Sequence, residues 1–392
     1  MANRDQVPVA RLWLAVLCGY LALGATLQEL PGYVAGHFQQ RPFIVGVTVS
    51  LAFAGTAAAR PFAGRAGDLG RARPIAMAGA ALTALAGAGH LLAPDIGTLL
   101  VARLVMGVGE AALFSGCLPW VLTEVDASRR GRVAGWFGLS MWAGLSGGPL
   151  LAVGMAWAGG SSAVWAAVVT LPVVSTVLIA STRRPAGPAA SISLRGWRDL
   201  VPVGVGRPGM MLGLAAYGYG SLTALLVLFL AGIGGKSAGL AIFSLSFLIT
   251  RTAGSPLIDR YGGLATARVV LLIETVGLAL LAVASSQAAA LLAVAVTGVG
   301  LGLIYPATTK LTLHHAGGLT PGTAVGAMTS FWDLGILAAG PAGGLIVAAS
   351  GFRAAFAVGA GAAALALALT VVHWTSRGSR GDSPRHEMVS RA

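Results

Sequence analysis

Apolar runs of about twenty residues, parted by short polar breaks, recur along the whole chain. A helix needs ~20 mostly apolar residues to cross ~30 Å of hydrocarbon. That ruler predicts helices over 12–33, 43–64, 74–93, 98–122, 132–157, 162–181, 208–232, 237–258, 267–285, 289–312, 322–348 and 353–375. Twelve spans place both ends of the chain on one side. The first run is too long for a signal h-region and reads as a retained helix. The longest break holds Arg183, Arg184, Pro185, Pro188, Arg195 and Arg198. It predicts a basic linker over 183–207 between a six-helix bundle at 1–182 and a second at 208–376, with a charged tail at 377–392. The fold class expected is therefore an all-α membrane protein, with twelve transmembrane helices in two pseudo-symmetric bundles.

Composition strengthens this reading. Charged residues make up 10% of the chain and hydrophobic ones 56%, against about 25% charged in soluble domains. Such a surface must face lipid. The 57 glycines suit helices that pack closely without a hydrophobic force between them. A net charge of +13 raises the question of nucleic acid, which its placement answers. All but four of the 26 Lys and Arg fall in segments expected on one side; Arg41, Lys236, Arg353 and Arg103 are the exceptions. That is the positive-inside asymmetry, which orients both termini towards the cytoplasm. Cys18 and Cys117 lie in apolar spans, where a structural disulfide or metal site is not expected.

The halves repeat. Gly135, Gly144, Gly148 and Pro149 of the fifth span match Gly326, Gly335, Gly340 and Pro341 of the eleventh, at an offset of 191 that becomes 192. Asp68 and Asp259 stand at the same offset of 191. Duplication of a six-helix unit accounts for both, and parallel repeats characterise one large transporter fold.

Charges inside spans mark candidate chemistry, because they are costly in lipid and line polar paths. Arg103 and Glu110 are seven residues apart, on one helix face and about 10 Å apart along the axis. They are either a proton-handling pair or a static buried one. Asp333 lies mid-span, Glu29 near the outer end of the first span, and Glu274 in the ninth. Tyr217, Tyr219, Tyr305, Phe331, Trp332 and Trp142 are candidate pocket rings, suited to amphipathic or cationic substrates; packing is the alternative for each. The string from Gly204 to Gly209 spells GxGxxG without a preceding strand and is discounted. No phosphate-binding loop is present, and His314 and His315 read as a solvated helix end. No cofactor is expected.

The segment from Arg60 through Gly64 and Asp68 to Arg73, with its second copy from Gly254 to Gly262, resembles the loop motif of the major facilitator superfamily. The resemblance covers nearly the whole chain. It implies a conformational latch built from Gly64, Asp68, Arg71, Arg73, Asp259 and Arg260. Leu69 and Ser255 depart from the pattern. Gly144, Gly148 and Pro149 resemble the family's antiporter motif, although Ala152 and Val153 replace its closing glycines. Arg103 matches the arginine of its proton-coupling motif, which makes Glu110 the leading proton carrier, with Asp333 or Glu29 assisting. The resemblance also puts span nine, and with it Glu274, outside the cavity. The expectation is a proton-coupled exporter of a small molecule in the bacterial inner membrane, working as a monomer. The alternatives are an uptake symporter for a sugar or organic acid and, remotely, a membrane-embedded enzyme or sensor. The run from Leu30 to Tyr33 and the loop from Arg60 to Gly64 resemble a sugar-efflux-like and metallophore-exporter-like branch, a resemblance that fixes no substrate.

Overall fold

A computed structural model describes residues 9–123, 125–126, 129–183, 204–233, 238–315 and 321–371, and every regular element within them is helical. Most of the expected linker and all of the 377–392 tail lie outside the described residues. The helices are α1 (Val9–Gly36), α2 (Pro42–Ala66), α3 (Ala72–Leu92), α4 (Ile96–Thr123), α5 (Arg130–Ala180), α6 (Gly206–Gly232), α7 (Gly239–Ala253), α8 (Ser255–Tyr261), α9 (Gly263–Val283), α10 (Gln287–Gly302), α11 (Ile304–His315) and α12 (Pro321–Leu369). A π-helical turn, Gly67–Arg71, joins α2 to α3.

Two of these helices are too long for one crossing. The 51 residues of α5 would extend about 75 Å at 1.5 Å per residue, more than twice the hydrocarbon thickness. Gly159 and Gly160 break it, Gly160 with φ +68°. Gly351, φ +85°, breaks the 49-residue α12 in the same way. Each therefore supplies two spans, the fifth and sixth and the eleventh and twelfth, where the hydrophobic pattern expects them. Gly160 and Gly351 are themselves 191 residues apart. A left-handed backbone is inexpensive only for glycine. The eighth span is α7 with α8, bent by 49° around Gly254. The tenth is α10 with α11, which together run from Gln287 to His315. Twelve spans result among the described residues.

Glycine sets how closely they approach. A Cβ on Gly107 would stand 1.7 Å from the Ala52 carbonyl oxygen, so α4 meets α2 backbone to backbone. The second half repeats this contact 191 residues on, where a Cβ on Gly298 would meet the Phe243 carbonyl at 2.5 Å. Outward-facing residues are apolar, as for Leu92, Val101, Val269, Leu292 and Leu365. This is the exterior that lipid requires.

The face carrying the start of α1 and the end of α12 is the terminal face. Arginines there close helix ends. Arg11 donates to the Ser181 carbonyl at 3.0 Å and Arg73 to Ala180 at 2.8 Å. In the other half Arg207 donates to the Leu369 carbonyl and Arg268 to Thr370 at 2.9 Å. The last carbonyls of a helix have no partner within it, so these contacts satisfy orphan acceptors.

Candidate functional site

Arg103 and Glu110 are both fully buried, and they do not pair. Arg103 Nε donates to the Thr48 carbonyl at 3.0 Å and Nη2 to the Val49 carbonyl at 2.7 Å, both on α2. Its Nη1 donates to Thr26 Oγ1 of α1 at 2.9 Å. The guanidinium thus pins three spans together and makes no direct bond to Glu110. Both carboxyl oxygens of Glu110 are buried without a hydrogen-bond partner. They lie against α1, where a Cβ on Gly19 would come within 3.5 Å of Oε1.

Tyr20, next to Gly19, connects this acid to the boundary between the halves. Its hydroxyl donates to the Glu110 carbonyl at 3.2 Å. It also stands close enough to Arg60 and Asp333 to feel the charge of each. Arg60 of α2 and Asp333 of α12 form an ion pair across the halves: Nε to Oδ2 at 3.1 Å and Nη2 to Oδ2 at 3.1 Å. Only 12% of the Arg60 side chain and 3% of that of Asp333 are exposed. Arg60 was counted above among the basic residues that set topology, and so was Arg251. Both are corrected here, because they sit inside α2 and α7 and are buried between the halves.

Spans two and eleven form a seam that tightens away from the terminal face. A Cβ on Gly46 would fall 2.1 Å from the Gly340 carbonyl oxygen, and one on Gly344 2.5 Å from the Phe43 Cα. Ser50 donates to the Ile336 carbonyl at 3.1 Å. Beyond the Arg60–Asp333 pair, towards the terminal face, Gly64 and Gly326 have no atom within 4 Å of an added Cβ.

The candidate rings separate into four that meet and two that do not, Tyr217 and Phe331, the latter packed on Gly209 and Gly213. Trp142 of α5 lies 4.9 Å from Tyr305 and 5.1 Å from Trp332, centroid to centroid. Tyr219 stacks on Trp332 at 5.5 Å. Tyr219, not Tyr217, joins this cluster; Tyr217 is only half-buried and touches none of its rings. The Arg251 guanidinium caps the cluster, 5.1 Å from the Trp142 ring and 5.5 Å from the Tyr305 ring. Sequence reasoning missed Arg251 as a site residue. Its match to Arg60 at an offset of 191 was the available signal.

Other expected residues stand apart. Glu29 is half-buried on α1, ten residues and about 15 Å beyond Gly19. Glu274 is fully buried within the second half, both oxygens without a hydrogen-bond partner, against Gly218 and Gly300. Asp259 meets Lys310 Nζ at 3.5 Å within its own half, and Arg260 stacks on Tyr261 at 5.2 Å. Arg71 is exposed, and Arg73 closes the sixth span as described. The side chain of Asp68 lies outside the described residues. Gly144 and Gly148 seat span five on span one: an added Cβ would meet Tyr20 Cβ at 2.5 Å and Gly24 Cα at 2.4 Å. Gly335 repeats this against the Gly213 carbonyl at 2.1 Å.

Two six-span bundles, meeting along a glycine seam and holding buried charges between them, define a membrane transporter. The family model of the Major Facilitator Superfamily matches residues 12–340 and 214–390. The chain belongs to that superfamily. It is similar to the MFS-type transporter YhhS of Shigella flexneri, 31% identical over 365 residues, covering 90% of this chain and 88% of the relative. An MFS-type transporter of Salmonella typhimurium, STM4428, is 28% identical over 95% of this chain and 97% of its own. Among solved structures, the fold is similar to the nucleoside transporter NupG, with a TM-score of 0.70 at 12% identity over 92% of this chain and 98% of that one. It is also similar to the human organic anion transporter MFSD10, with a TM-score of 0.68 at 17% identity and the same coverage. These two likenesses establish the fold alone.

Proposed function

We propose that the chain is a proton-coupled exporter of a small molecule, working by alternating access in the bacterial inner membrane, with both termini cytoplasmic. One observation carries the coupling: Glu110 is buried with neither oxygen hydrogen-bonded, beside a tyrosine that feels the Arg60–Asp333 pair. An ionised carboxylate in such a place costs several kcal/mol without a partner, so the site holds the acid with its proton on. Release of that proton puts a negative charge next to Tyr20, the residue between Glu110 and the Arg60–Asp333 pair. Protonation at one site thereby biases how the halves meet, which is what coupling requires.

Basic residues at the terminal face support its assignment to the cytoplasm. On that reading the glycine seam closes the outer side and the halves are released inward. Gly64, Asp68, Arg71, Arg73, Asp259 and Arg260 then form the latch of the opposite state, which would re-form when the inner side closes. The contacts of Gly144 and Gly148, which Pro149 follows, support export, since they give span five the seat on span one that the antiporter-like pattern implies. Trp142, Tyr305 and Trp332 line the substrate path. One chain holds both halves, so a monomer suffices.

The test is transport in proteoliposomes under an imposed pH gradient. Gradient-driven transport by Glu110→Gln at the wild-type rate would remove Glu110 from the mechanism. Substrate movement in the direction of the proton rather than against it would replace export with uptake by a symporter.

A further inference from the structure

The two arginines related by the repeat have unequal company. Arg60 and Arg251 are 191 residues apart, and so are Trp142 and Asp333. The first half therefore sets its arginine against an acid of the second half. The second half sets its arginine against Trp142 of the first, where the acid would stand. Arg60 has its carboxylate; Arg251 has two ring faces.

Ring faces alone are a poor exchange. Arg251 is 8% exposed, and its Nη1 has no hydrogen-bond partner among the described residues. A cation over an aromatic ring gains less than a buried ion loses when it is left without its counter-charge. Trp142 Nε1 is a second buried donor without an acceptor. The indole and the guanidinium over its face thus each carry an open buried donor, one of them charged, and an anion would satisfy them. Around them the walls are Trp332, Tyr219, Phe243 and Phe247, in contact at centroid distances of 5.4–6.0 Å.

We propose that Arg251 and Trp142 bind the carboxylate of an amphipathic organic acid, whose apolar body lies along the Trp332–Tyr219–Phe243 wall. The substrate's carboxylate takes the place that Asp333 fills for Arg60. A cationic substrate, which the rings alone would suit, is disfavoured because the guanidinium already occupies their faces. This deepens the transport reading by naming the substrate class, and it rests on that reading only for the site being on the transport path.

The test is equilibrium binding to the full chain in nanodiscs of uncharged lipid, so that no headgroup supplies the anion. The probes are 2-naphthoate, 2-naphthamide and 2-naphthylmethylamine, which share a ring system and differ in charge. Naphthoate should bind in preference to both others. Arg251→Gln should weaken it about 10–100-fold, the loss of one charge-assisted hydrogen bond, with Arg251→Lys restoring part. Trp142→Phe, which keeps the wall and removes the donor, should cost a few-fold. Thermal unfolding of each variant without ligand separates lost binding from lost fold. Equal binding of the three probes, no binding of naphthoate by the wild type, or naphthoate binding unchanged in a folded Arg251→Gln protein would each overturn the proposal. No proton gradient is involved. Failure of Glu110 as proton carrier would leave this result standing, and failure here would leave Glu110 untouched.

Discussion

Adding one methyl group at Gly46 is expected to open the seam between the second and eleventh spans. In Gly46→Ala the new Cβ would stand 2.1 Å from the Gly340 carbonyl oxygen, and real Cβ atoms do not approach closer than 3.0 Å. The helices must separate there by about 0.9 Å, against backbone that has no softer neighbour to yield. Overpacking of this kind costs about 1–3 kcal/mol. The cost falls only on the state in which the seam is closed, so the closed-to-open ratio should drop by about 5–150-fold. Double electron–electron resonance between spin labels at Arg41 and Leu345 reports the separation, with Cys18 and Cys117 first replaced by serine. A longer-distance population should grow in Gly46→Ala. It should not grow in Gly326→Ala, where nothing lies within 4 Å of the new methyl. An unchanged distance distribution in a folded Gly46→Ala protein would refute the account of the seam.

Two further outcomes are expected. Asp333→Asn should weaken the tie between the halves, and Arg60→Ala should cost more, about 3–5 kcal/mol, because it leaves a buried carboxylate alone; the exchange Arg60→Asp with Asp333→Arg should recover part, measured by thermal unfolding in detergent. Asp95, in the loop before α4, accepts the Thr98 backbone N–H at 2.9 Å, which holds its carboxyl below the usual value of 3.8. Its folded pKa is depressed, so its contribution is present above the ordinary carboxylate range and lost as pH falls through the lowered value. Asp95→Ala should accordingly lower the melting temperature at pH 7, and by progressively less as pH falls through that lowered value.

The membrane fold was legible because lipid imposes a length and an apolar surface, and both are written in the order of residues. The break at Gly159 and Gly160 fell where the apolar runs part. The repeat was legible through its glycines and through Asp68 and Asp259. The wiring of the site was not. Helical spacing puts Arg103 and Glu110 on one face, but it does not say that Thr48, Val49 and Thr26 satisfy the arginine. Nor does it say which face of α2 meets α12, so Arg60 read as a topology charge although its partner Asp333 was already singled out. Tyr217 and Tyr219 differ by two residues, and only packing decides which of them turns to Trp332. Applying the 191-residue offset to cations and rings, as well as to glycines and acids, would have exposed Arg251 facing Trp142.

The breaks at Gly160 and Gly351 join span five to span six and span eleven to span twelve with almost no slack. Spans five and six share one continuous run, as do eleven and twelve. A tilt of either helix of a pair must therefore carry its companion with it. A change in bilayer thickness that tilts span six or twelve would thus be passed on to span five or eleven, the latter one wall of the glycine seam.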